Sequence, residues 1–149
     1  MDIQERLMND LKDALRSRDV LRKNTIRMAL AALKNARVEK NADLIEGETI
    51  AVLRKEVRQR QDSIVEFAKG GREDLVAQES AEIGILEGYL PRMLDRDEIL
   101  TLAREAIAET SASGPKQMGQ VMRALMPRVQ GRADGRMVNE IVKELLANA

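Results

Sequence analysis

The residues best placed to do chemistry lie between Gly114 and Gly135, in the run GPKQMGQVMRALMPRVQGRADG. This run holds four of the chain's nine glycines and two of its three prolines. Gly114-Pro115 reads as a helix start, because proline is well tolerated at a first helical position. Met118, Val121, Met122 and Leu125 then recur at three- and four-residue spacing and make one apolar helical face. Pro127 is expected to end that helix, since the residue before a proline is pushed out of the helical region. Gly131-Arg132-Ala133-Asp134-Gly135 makes a turn, with Asp134 as the cap of a last helix from Gly135 to Ala147. Unpaired N–H groups at a helix start and arginine guanidiniums both attract phosphate, so anion binding is the chemistry open to this corner. Glycines at a helix–helix corner are also, and more often, there for close packing and turns.

Composition removes most other chemistries. The chain has no cysteine, which excludes disulfides, thiol nucleophiles and thiolate metal sites. It has no histidine, and so lacks the commonest general base and the commonest transition-metal ligand. Glu79 and Glu82 lie three apart on one helical face, where paired carboxylates can bind a divalent metal or move protons. No third ligand follows at a telling spacing. The plainer role is an acidic face paired with the basic face of a neighbouring helix. No catalytic residue, metal or cofactor is therefore expected. Phe67 and Tyr89 are the only aromatic residues, which argues against a base-stacking RNA surface.

The elements that must position the corner are all helical. At 149 residues, with 44% hydrophobic and 34% charged side chains, the chain fits one domain or two small ones of a charge-rich, soluble type. Asp2 with Glu5 resembles a capping box, and Ile3, Leu7, Met8, Leu11, Ala14 and Leu15 form the stripe of a first helix ending near Ser17. Asp19 caps a second helix to about Lys40, with Leu21, Thr25, Met28, Ala29, Ala32, Leu33 and Ala36 on its buried side. Lys23, Arg27 and Lys34 fall within about 40° of one another on the far side, counting about 100° per residue. A third helix is expected from Glu48-Thr49 to Gly70-Gly71, with Ile50, Leu53, Val57, Ile64 and Ala68 inside. A fourth runs from Glu73 to Glu87 on Leu75, Ile83 and Leu86. Tyr89-Leu90-Pro91 breaks the chain, and Asp95 with Glu98 caps a fifth helix to about Glu109. Eight methionines could line an adaptable interface, although at helical spacing they are more often core.

No stretch alternates with period two for long enough to be a strand. The expectation is an all-α protein: a bundle of about four helices over residues 1–91 and a small three-helix domain over residues 95–149. Charge divides along this map. Residues 72–110 carry four basic side chains against ten acidic ones, while residues 111–149 carry six against three. The basic end makes Lys116, Arg123, Arg128, Arg132 and Arg136 the first candidates for contact with a polyanion, with Arg54 and Arg58 second. Lysines and arginines equal acids at 25 each, so there is no global polyanion signal and DNA is not an expected partner. No apolar run is long enough to span a bilayer, and MDIQERL lacks a signal-peptide core, from which a cytoplasmic protein is expected.

Taken together, Phe67 to Leu75 (FAKGGREDL), Glu79 and Glu82, Tyr89-Leu90-Pro91, Met118 to Met122 (MGQVM) and Gly131 to Gly135 (GRADG) resemble the GatB/YqeY family, in its stand-alone YqeY-like form. Each motif is short, but they follow the family's order across nearly the whole chain. The resemblance implies kinship with the helical and tail regions of the B subunit of the tRNA-dependent amidotransferase. There the tail contacts the body of the tRNA and the chemistry occurs elsewhere. It makes Gly119, Gly131, Arg132, Ala133, Asp134 and Gly135 the family's characteristic corner. The chain has no counterpart of the kinase and transamidation domain, nor of the serine–lysine amidase signature. The resemblance thus implies a non-catalytic tRNA-binding or tRNA-enzyme accessory module, with tRNA or an aminoacyl-tRNA-processing enzyme as partner. A protein-interaction adaptor is the alternative, and glutamine-dependent carbon–nitrogen ligase activity would arise only within a larger complex. Oligomeric state stays open.

Overall fold

The computed structural model describes residues 1–148. Among them there are seven α-helices, one 3-10 turn and no strand: α1 (Ile3–Ser17), α2 (Val20–Lys40), α3 (Glu46–Lys69), α4 (Glu73–Glu87), α5 (Arg96–Thr110), the 3-10 turn (Pro115–Gln117), α6 (Met118–Val129) and α7 (Gly135–Ala147). The fold is all-α. The chain divides into two compact units, Met1–Pro91 and the part from Arg92 onward.

Side-chain caps set most of the helix starts. Asp2 accepts from the Glu5 N–H at 2.8 Å, Asp19 from the Arg22 N–H at 3.1 Å and Asp95 from the Glu98 N–H at 2.8 Å. Each satisfies one of the amides that a helix N-terminus leaves without a partner. The third helix starts two residues before the expected Glu48. Its N-cap is Ile45, which has no acceptor, and the Glu48 carboxylate takes the Ile45 N–H instead at 3.0 Å. At its other end Gly70 keeps a negative φ of -83° while Gly71 takes φ 70°, the conformation that lets the chain turn into α4.

In the first unit α1 packs on α2 and α3 on α4, with further contacts of α2 to α3 and α4. The core is aliphatic: Ile3, Leu7, Ile26, Ala29, Leu33, Ile50, Leu53, Val57 and Leu86, closed by Tyr89. Helical spacing misplaces several residues. Met8, Leu15, Leu21 and Met28 are exposed, at 56%, 46%, 38% and 51%, and Ala68 is exposed too. Ile26, absent from the expected face, is fully buried. The buried arc of each helix is narrower than its apolar arc, so the flanking apolar side chains face solvent.

Two polar clusters lock this unit. Arg60 on α3 is 5% exposed; its Nη1 donates to the Glu56 carboxylate at 3.0 Å and its Nη2 lies 3.7 Å from Glu82 on α4. The acids Glu79 and Glu82 are therefore no metal pair: Glu82 is buried and tied to α3. Burial pushes the Glu82 carboxyl above the usual range, Arg60 opposes that shift, and Glu79 adds to it. The second cluster surrounds Tyr89. Its hydroxyl donates to Asp10, which also pairs with Arg22 at 3.5 Å. The Arg6 guanidinium sits 5.1 Å over the ring and donates to the Gly88 carbonyl at 3.1 Å. Burial, reinforced by the Asp10 hydrogen bond and charge, raises the phenol to about 12.

Two outcomes follow from these clusters. Arg60→Met leaves Glu82 buried without its cation, and chemical denaturation at pH 7 should register a loss of about 3 kcal/mol. That deficit should narrow as the pH falls and Glu82 takes up its proton, whose affinity burial has raised. Tyr89 is the only tyrosine and there is no tryptophan, so absorbance at 295 nm follows its ionisation alone. It should titrate near 12 rather than 10. The stability it contributes is complete below the ordinary value and is lost as the pH rises through the folded one. Tyr89→Phe should remove that alkaline dependence and cost about 1.5 kcal/mol at neutral pH.

Candidate nucleic-acid interface

The second unit forms where α5, α6 and α7 close on a core of Ile99, Ala103, Ala106, Val121, Leu125, Val129, Val138, Ile141, Val142 and Leu146. Gly114 is extended and Pro115 opens the 3-10 turn, which the Gln117 side chain closes by accepting the Ser113 N–H at 2.6 Å. Helix α6 then follows without a side-chain cap.

Pro127 does not end α6, which continues to Val129. The reason is burial. Val129 is 1% exposed, and the last turn must persist to carry it into the core. The helix bond lost at Pro127 would have used the Arg123 carbonyl, on a stretch where Arg123, Met126 and Pro127 are exposed to solvent. The Gln130 N–H closes the end on the Met126 carbonyl at 2.8 Å.

The corner that follows is tightly bonded. Gly131 takes φ 73°, a genuine left-handed position. The Arg132 N–H donates to the Val129 carbonyl at 2.9 Å, and the Arg132 carbonyl accepts the Leu94 N–H at 2.7 Å, tying the corner to the segment that leads into α5. Asp134 caps α7 by accepting the Arg136 N–H at 2.9 Å. Gly119 and Gly135 are different: a Cβ built on either meets nothing within 4 Å, so no close packing requires a glycine there. Ala133 is partly buried against the core.

The candidate cations fall into three groups. Arg128 is held by Glu105 at 3.4 Å and by Glu109, both on α5, and these partners push its pKa up, Glu109 most. Arg54 donates to the Pro91 carbonyl at 2.6 Å, and burial lowers its pKa. Arg132 is half-buried, with its Nε enclosed. Lys116, Arg123 and Arg136 are exposed, and no ion pair engages their side chains among the described residues. They stand on the 3-10 turn, α6 and the first turn of α7, elements that pack on one another. Arg58 is exposed on α3 of the first unit. Elsewhere in the second unit Arg92 binds Glu98 at 2.7 Å and Arg96 binds Glu144 at 3.0 Å, while Arg104 on α5 and Lys143 on α7 are exposed with no ion pair among the described residues. Arg92, then the Asp95 N–H, hold the Glu98 carboxyl below its ordinary range.

No group of three or more acids that could hold a metal occurs among the described residues, and no helix there is long and apolar enough to cross a membrane. Sequence reasoning missed the Arg60 and Tyr89 clusters. Their partners lie 22 and 79 residues away, beyond any local spacing signal.

Comparison with known proteins matches residues 4–146 to a family model described as YqeY-like protein. A relative from Kluyveromyces lactis is 42% identical over 120 residues, covering 77% of this chain and 64% of its own. One from Pyrenophora tritici-repentis is 32% identical over 147 residues, covering 95% and 79%. One from Saccharomyces cerevisiae is 32% identical over 124 residues, covering 78% and 66%. All three are named altered inheritance of mitochondria protein 41, mitochondrial. The chain thus spans less than two thirds of the Kluyveromyces protein. These names overturn the expected cytoplasmic location. That no described helix is long and apolar enough to cross a membrane does not bear on residence in an organelle.

Proposed function

The chain belongs to the YqeY-like protein family, and from that premise we propose that it is a non-catalytic accessory factor that binds folded RNA, tRNA first among candidates, through the second unit. What supports this is the separation of its cations into paired and free. Arg92, Arg96 and Arg128 are neutralised by acids, whereas Lys116, Arg123 and Arg136 stay exposed on three mutually packed elements. Free cations without stacking aromatics suit phosphate and shape recognition of structured RNA better than sequence readout. Open space beside Gly119 and Gly135 leaves the backbone approachable. Arg128 and Arg54, engaged by acids or carbonyls, move to supporting roles in this reading. For compartment, the relatives' names point to mitochondria.

Filter binding with tRNA over a salt series tests the proposal. Three phosphate contacts correspond to a log–log salt slope of about −2 to −3. Arg123→Glu should weaken tRNA binding about tenfold and reduce that slope by about one. Gly119→Ala should leave thermal stability unchanged or slightly raised, because the site is open and alanine favours helix, yet should lower affinity. Affinity for tRNA no greater than for random RNA at low salt defeats the proposal.

A further inference from the structure

The first unit carries a surface that neither its core nor the RNA reading uses, on the hairpin of α1 and α2. On α1, Met8, Leu11 and Leu15 fall within about 60° of one another at about 100° per residue. Met8 and Leu15 are 56% and 46% exposed, and Leu11 is only partly buried. On α2, Lys23, Arg27 and Lys34 form a stripe about 40° wide. Arg27 and Lys34 are exposed, Lys23 is half-buried, and no ion pair engages the three among the described residues. The two stripes lie on the same side of the hairpin. Gln4, in the same sector of α1 as Leu11 and Leu15, accepts from Arg37 of α2 at 2.6 Å, and Arg37 stands within about 60° of Lys34 on its own helix.

Three of the nearby acids are turned elsewhere. Asp10 is held by Tyr89 and Arg22, Asp13 pairs with Arg16 at 3.8 Å, and Asp19 is spent as the cap of α2. An aliphatic strip is thus bordered by cations on its α2 side, with the exposed Glu5 as the one acid beside Met8 on α1. We propose that this face docks an acidic amphipathic helix of a partner protein, laid along the hairpin. Its apolar stripe would cover Met8, Leu11 and Leu15, and its carboxylates would meet Lys23, Arg27 and Lys34. Charge complementarity selects the acidic partner, and the exposed aliphatics select a protein helix over RNA, whose backbone gives Met and Leu nothing to bury against. Helix α1, with 15 residues, is about 22 Å long, room for about four turns of a partner.

Fluorescence anisotropy on the full chain tests this with a synthetic leucine–glutamate amphipathic helix of about 18 residues. Its scrambled isomer, tRNA and phosphatidylserine vesicles serve as the other probes, and sedimentation reports self-association. The amphipathic peptide should bind about tenfold more tightly than its scramble and weaken with salt. The triple change Lys23→Glu, Arg27→Glu, Lys34→Glu should cost a further tenfold or more, as should Leu15→Glu alone. Leu15, Arg27 and Lys34 are exposed and Lys23, in the first turn of α2, is half-buried, so unchanged helicity by circular dichroism is expected. The proposal is overturned if peptide and scramble bind alike or if the triple variant binds as well as the parent. It is equally overturned if these changes instead abolish binding to tRNA, to vesicles or to a second copy of the chain. The salt slope of tRNA binding and its reduction by about one in Arg123→Glu do not depend on the peptide results.

Discussion

Helices of 12 to 24 residues hold their shape in water only when an apolar stripe on each is buried against its neighbours, and here that burial is achieved almost without rings. Leucine, isoleucine, valine and alanine fill both cores, with Tyr89 the one aromatic among the fully buried residues. Aliphatic side chains at three- and four-residue spacing can close only a narrow seam between small helices. Everything outside that seam is left to solvent, and a third of the chain is charged.

The consequences for charge organise the rest of the molecule. Where a helix pair must bring a charge into the seam, the structure compensates it locally, as Arg60 does between Glu56 and Glu82. Removing that cation would strand a buried carboxylate, which is why the pair matters more for holding α3 to α4 than as a source of net stability. At the surface of the second unit, acids of α5 and α7 neutralise the arginines within reach and leave others untouched. A cation's availability is therefore a property of its neighbours in space, and the cations left over are the physical basis for the RNA reading and for the acidic-helix reading alike.

Membership of the YqeY-like family joins these observations to relatives whose names place them in mitochondria. The chain has no histidine or cysteine, and the buried Glu82 is already matched by Arg60. The binding role proposed above draws on the charges that remain. The glycine positions refine it: Gly131 is required by the backbone, while Gly119 and Gly135 are not required by packing.

Local chemistry was enough to place the helices. The carboxylate caps at Asp2, Asp19, Asp95 and Asp134 act on amides two or three residues away, so their signal is contained in a short window of sequence. The all-α class and the starts of α2 and α7 were legible for that reason, while α4, which has no side-chain cap, was marked off by Gly70-Gly71 before it. Where an element end depended on something distant, local rules failed. Pro127 lies inside α6 because Val129 is wanted in the core, and α3 starts early because the Glu48 side chain supplies what Ile45 lacks. Burial within each stripe, exposing Met8 and Leu15 and hiding Arg60, was decided by neighbouring helices. So was the sorting of arginines: Arg128 and Arg123 look alike in sequence, yet only one has carboxylates of α5 within reach. Pairing between charges depends on distance in space, and only the packing of the helices sets that distance.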